Sequence, residues 1–107
     1  MCLEELSSII LELDSIILEL HRIASQRRFM RYGILDAADQ LDRVVDLLHV
    51  PDRLAPFMKF LVDDSLKKAP LPLYIVIRSR KFMRRQLLEV CSRIDAVIRI
   101  VCDADED

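Results

Sequence analysis

The chain has no asparagine, no threonine and no tryptophan, and it has a single glycine among 107 residues. Tight β-hairpin turns need residues that tolerate a left-handed backbone, chiefly Gly and Asn. A fold built from many short strands therefore lacks its turn residues here. Aromatics make up only 6% of the chain, so extensive stacking of exposed bases has little to work with. The apolar stretch from Leu71 to Ile77 is seven residues long, against the roughly 20 needed to cross a bilayer. No membrane insertion is expected. The opening Met1-Cys2-Leu3-Glu4-Glu5 is acidic where a secretory signal would be basic.

Cysteine is also scarce. Cys2, Cys91 and Cys102 form an odd set without a CxxC pair, which points to a reducing compartment and a soluble, cytoplasmic chain. On one helix Cys91 and Cys102 would be about 16 Å apart, too far to bridge. They read as small core residues.

What remains is strongly apolar and strongly charged. The chain is 52% hydrophobic, too much for a disordered segment, and 32% charged. Its formal charge is −2, but Asp103, Asp105, Glu106 and Asp107 carry four of the negative charges, which leaves residues 1–102 at +2. The expectation is one helical domain over residues 1–102 and an acidic tail over 103–107.

The apolar periodicity is helical. Ser8-Ile9-Ile10-Leu11-Glu12-Leu13 recurs seven residues later as Ser15-Ile16-Ile17-Leu18-Glu19-Leu20. Leu3, Leu6, Ile10, Leu13, Ile17, Leu20 and Ala24 follow 3-4 spacing, a heptad seam. Ile9, Ile16 and Ile23 widen it, and Leu11 and Leu18 are read as widening it further. Ser7, Asp14 and His21 form a polar line beside it. The spacing predicts a helix from residue 3 to about 30, with Gly33 as its C-terminal cap. A second helix follows from Ile34 to about His49, its acids Asp36, Asp39, Asp42 and Asp46 on the outer face. A third starts at Asp52 or Arg53, with Pro56 in its first turn, and stops at Lys68 before Pro70 and Pro72. Residues 71–77 suit a strand or a helix; without a partner strand, helix is favoured. A single fourth helix is expected from about Pro72 to Cys102.

The fold class expected is all-α, an antiparallel helical bundle completed by homodimerisation. The wide apolar face of residues 3–24 motivates the dimer, with Leu6, Ile10, Leu13, Ile17 and Leu20 at the interface.

Little in the chain suggests catalysis. His21 and His49 lack HxxxH or HxxE spacing, so no metal site is expected. No base stands beside a Ser or Cys in a local motif, and no GxxxxGK run exists. The reading is a non-enzyme without cofactor. The cations are more informative. Arg78, Arg80, Lys81, Arg84 and Arg85 fall within eight residues, and no acid interrupts the stretch from Leu66 to Leu88. Lys59, Lys67 and Lys68 precede them, and Arg27, Arg28 and Arg31 form a second cluster. One reading is a solvated face paired with the acids of the second helix. Another is a footprint for a phosphate backbone, since clustered Lys and Arg gain affinity by counterion release. Attraction to an anionic membrane surface is a third.

The segment Lys59-Phe60-Leu61-Val62-Asp63-Asp64-Ser65-Leu66-Lys67-Lys68-Ala69-Pro70, with His49 after Leu47-Leu48 upstream, resembles a segment of the small RNA-silencing suppressors of nodaviruses. The resemblance covers about twenty residues. Ala69 between Lys68 and Pro70, and the Arg-rich helix that follows, depart from it. It implies an all-helical homodimer that binds double-stranded RNA regardless of sequence, with Lys59 in the place of a backbone-binding arginine. The competing reading is a homo-oligomeric helical adaptor that docks a helical protein partner through an apolar face.

Overall fold

Every regular element in the computed structural model is an α-helix, and the residues it describes are 3–26, 31–49, 56–79 and 84–105. The helices are α1 (Leu3–Gln26), α2 (Arg31–Leu48), α3 (Pro56–Lys68), α4 (Leu71–Ser79) and α5 (Arg84–Asp105).

The core follows from the apolar spacing. Leu6, Ile9, Leu13, Ile16, Leu20 and Ile23 bury one face of α1. Ile34, Ala37, Ala38, Leu41, Val44 and Leu48 do the same for α2. Leu87, Val90, Cys91, Ile94, Val97 and Val101 line the inner side of α5, and all belong to one cluster. α1, α3 and α4 each pack against both α2 and α5. No described side chain that is polar or charged is buried.

Proline and local hydrogen bonds set the helix ends. α3 begins on Pro56, where the missing N–H costs nothing. It ends at Lys68, and Ala69 N–H still donates to the Ser65 carbonyl at 3.1 Å. Residues 71–77 are helical. Pro72 sits in the first turn of α4, and Tyr74 N–H donates to the Pro70 carbonyl at 3.1 Å. The Ser79 hydroxyl donates to the Ile75 carbonyl at 3.0 Å at the other end. His49 lies 2.8 Å, through Nδ1, from the Val45 carbonyl; its ring closes the end of α2.

Four expectations are corrected. The single helix over 72–102 is two helices that fold back on one another. A continuous helix there would be about 46 Å long, whereas the molecule's longest extent is 40 Å. Tyr74 of α4 is a hydrogen-bond partner of Cys91 of α5; on one helix they would be about 26 Å apart. The reason lies in the pattern. Leu73, Val76 and Ile77 begin a buried stripe whose next positions are Arg80 and Arg84, and an unpaired charge cannot follow it inward. Residues 80–83 lie outside the described residues.

Gly33 does not cap α1. It is the third residue of α2, pressed against α4: a Cβ there would stand 2.9 Å from Val76 Cγ2 and 3.5 Å from the Pro72 carbonyl oxygen. The acidic stretch from residue 103 is helical through Asp105, where α5 ends.

The expected dimer seam is the chain's own core. Leu13 and Leu20 are 0% exposed, Leu6 and Ile17 are buried, and Ile10 packs against the same cluster. α2 and α5 cover that face from within one chain. Leu11 and Leu18 do not widen it. At 100° per residue they stand about opposite Leu13 and Leu20, and each is 70% exposed.

The tight contact at Gly33 is testable. Gly33→Ala adds helix propensity but forces its methyl onto a stiff β-branched neighbour. The expected net result is a loss of about 1 kcal/mol. In a double-mutant cycle with Val76→Ala the two changes should couple by at least ~0.5 kcal/mol. Additive effects in urea denaturation would contradict the contact.

Candidate functional site

Six of the described cations, Arg31, Lys67, Lys68, Arg78, Arg84 and Arg85, lie around α4 because of how the helices meet. The close contact at Gly33 brings the start of α2, with Arg31 and Tyr32, against the start of α4. Lys67 and Lys68 close α3 two residues before α4 begins. Arg78 lies in the last turn of α4, and Arg84 and Arg85 open α5. α4 is nine residues, about 14 Å. Cations therefore flank it at both ends.

Arg31, Lys67, Lys68, Arg78, Arg84 and Arg85 are all exposed, but they are not equivalent. Lys67 Nζ meets Asp63 Oδ2 and Lys68 Nζ meets Asp64 Oδ2, each at 2.9 Å and one helical turn away. Arg31, Arg78, Arg84 and Arg85 make no ion pair among the described residues. The α2 carboxylates do not neutralise them: none of Asp36, Asp39, Asp42 and Asp46 pairs with a described cation. Lys59 lies within α3, and its side chain is outside the described residues. So are Arg27, Arg28, Arg80 and Lys81 as a whole.

Apolar side chains stand between these charges. Leu71 is 56% and Ile75 62% exposed on the outward stripe of α4 that also carries Arg78. Tyr74 is partly exposed beside them and reaches Cys91. Burial, then the charge of Asp95, raises the Cys91 thiol to about 11. That thiol is a packing residue, as its apolar spacing suggests, and is inert at neutral pH.

The acids form a separate surface between α1 and α2. Burial pushes the Asp42 carboxyl above its usual range; His21 opposes the shift, and Asp39, Asp46 and Asp14 reinforce it. No group of His, Cys, Asp or Glu among the described residues is arranged to hold a metal ion.

Sequence spacing did not reveal Arg93. Its Nε meets Glu12 Oε1 at 2.8 Å and its Nη2 donates to Ser15 Oγ at 2.9 Å, which ties α5 to α1. The partners are 81 and 78 residues apart, so no local pattern links them. Arg93 also separates two depressions along the α1–α5 seam. One, of about 300 Å³, is lined by Glu19, Arg22, Gln86 and Glu89. The other, of about 570 Å³, is lined by Ser8, Ile9, Ala96, Val97 and Ile100. As α1 numbers rise the facing α5 numbers fall, so the two helices run antiparallel.

No helix among the described residues is long and apolar enough to cross a membrane. Comparison with protein-family models, with curated proteins and with solved structures finds no match.

Asp42 gives a prediction whose sign is fixed. Its folded-state affinity for a proton is raised, so its contribution favours the fold at low pH and is lost as pH rises through the folded value. Asp42→Asn should therefore raise the thermal midpoint at pH 7, and the gain should vanish below about pH 4. Circular-dichroism melts at the two pH values measure it. An equal change at both would show that charge is not the cause.

Proposed function

We propose that the chain binds the phosphate backbone of double-stranded RNA, independently of base sequence, through the cationic end built around α4. In this reading its helices form an antiparallel bundle whose core holds that end in place. The observation that carries it is the set Arg31, Arg78, Arg84 and Arg85: exposed, without a carboxylate partner among the described residues, and on helices whose cores are packed. Residues 65–88 hold seven cations and no acid. Guanidinium groups bind phosphate oxygens bidentately, and each neutralised phosphate releases counterions. Lys67 and Lys68 contribute after exchanging Asp63 and Asp64 for phosphate, a small cost for exposed pairs.

A second reading has its own observation. Leu71 and Ile75 are exposed in the midst of these arginines, where phosphate contacts gain nothing from them. A helical partner protein with acidic and apolar side chains fits that mixture.

Fluorescence anisotropy with a labelled ~20-base-pair RNA duplex, long enough for successive minor grooves, separates the two. Affinity should fall steeply with salt and be the same for an unrelated duplex sequence. Arg84→Glu with Arg85→Glu should weaken binding at least ~tenfold and reduce the salt slope by about two. Leu71→Ser with Ile75→Ser should leave it unchanged. No binding at low salt, or loss with the Leu71 and Ile75 changes, would turn the assignment to the protein partner. Equal binding of a single-stranded 20-mer would remove the double-strand preference.

A further inference from the structure

The apolar side chains that stand out around α4 have no part in phosphate contacts. Leu71, Tyr74 and Ile75 are exposed on α4, and Arg78 continues their stripe one turn on. Leu88 of α5 is exposed as well. It lies one helical turn from Cys91, the partner of Tyr74, so it belongs to the same patch. Tyr32 is exposed at the start of α2, next to the glycine that is pressed on Pro72 and Val76 of α4. The four arginines without a carboxylate partner among the described residues border this patch. Residues 65–88 hold no acid. On α5, Glu89 turns to the seam with α1, and Asp95 stands a turn beyond Cys91, away from Arg84 and Arg85.

We propose that this end of the molecule seats on an anionic lipid bilayer. α4 lies in the plane of the headgroups, Leu71 and Ile75 dip below them, and the arginines rest on lipid phosphates and carboxylates. The charge complementarity is direct: each Lys or Arg close to an anionic leaflet raises partitioning roughly fivefold. The apolar side chains decide between partners. An RNA backbone would leave Leu71 and Ile75 in water. A partner helix docks its apolar face into a groove, whereas these two side chains stand out from the outward stripe of α4, and the patch extends to α2 and α5. A protruding apolar pair ringed by cations suits a fluid, laterally extended surface, which takes apolar groups a few ångströms deep. Tyr32 and Tyr74 suit the boundary, where amphipathic rings settle between headgroups and water. α4 has nine residues and is about 14 Å long, so it lies on a bilayer and does not cross it.

This inference does not rest on RNA binding: it shares the arginines with that reading, but Leu71 and Ile75 serve it alone. Cosedimentation of the full chain with vesicles tests it. Vesicles with about 30% phosphatidylserine in phosphatidylcholine should capture the chain, and pure phosphatidylcholine should not. Leu71→Ser with Ile75→Ser should weaken capture at least ~fivefold. Arg84→Glu with Arg85→Glu should weaken it at least ~tenfold. Both pairs are exposed, so the helical circular-dichroism signal should persist. Depth has its own readout, because the chain has no tryptophan. The emission of Ile75→Trp should move to shorter wavelength on the anionic vesicles and be quenched by brominated acyl chains. Leu18→Trp should do neither: α1 and α4 both pack on α2 and α5, and Leu18 points away from that core. No capture by anionic vesicles, capture indifferent to the serine pair, or an Ile75→Trp emission that stays that of indole in water would each overturn the proposal. Capture of an acidic amphipathic peptide where vesicles capture nothing would overturn it in favour of a helical partner. The RNA reading fails separately, since the serine pair should abolish vesicle capture while duplex binding persists.

Discussion

The fold depends on how closely α1, α3 and α4 can approach α2. Ala37 and Ala38 are 0% exposed, and Gly33 lies where a methyl group would collide with Val76. Small residues on one helix let three neighbours reach it at once, so a chain of this size closes one core around it. Larger side chains would push α4 outward, and with it the cations that flank α4. The one glycine serves this approach, not a turn.

A second constraint acts from outside. Charges end the apolar stripes, and the helices end with them. Arg80 and Arg84 fall on the stripe that Leu73, Val76 and Ile77 begin, so α4 and α5 become two helices on different paths. The cost of burying an unpaired guanidinium is several kcal/mol, more than any gain from continuing one helix. The same rule explains why no described polar side chain is buried. It also leaves Arg31, Arg78, Arg84 and Arg85 at the surface, each on a helix.

Much of this was legible in the residues. The stripes through Leu13 and Leu20, and through Leu41, Val44 and Leu48, are core as their spacing says. Pro56 lies in the first turn of a helix, Leu71 to Ile77 is helical, and Cys91 packs as a small apolar residue. Two of the misreadings share a cause: they concern what comes from another part of the chain. Gly33 looked like a cap because its neighbour in space, Val76, is distant in sequence. The α1 seam looked unpartnered because the cover that α2 and α5 provide is not visible from α1. The charges divide in the same way. Asp63–Lys67 and Asp64–Lys68 could be read from their i,i+4 spacing, whereas Glu12–Arg93 could not. The exposure of Leu11 and Leu18 was readable from their angle, since two residues from Leu13 and Leu20 is more than half a turn.

The cationic end has a fixed place in the fold. The α5 residues Gln86 and Glu89 face Glu19 and Arg22 of α1, so the start of α5, with Arg84 and Arg85, lies toward the C-terminus of α1. Arg31, Arg78, Arg84 and Arg85 stand on three helices that share one core. In the proposed reading that common core, and not a contact with a base, would set the spacing of the guanidinium groups. Such a patch would meet a phosphate backbone as one unit, and its affinity would fall steeply with salt whatever the base sequence.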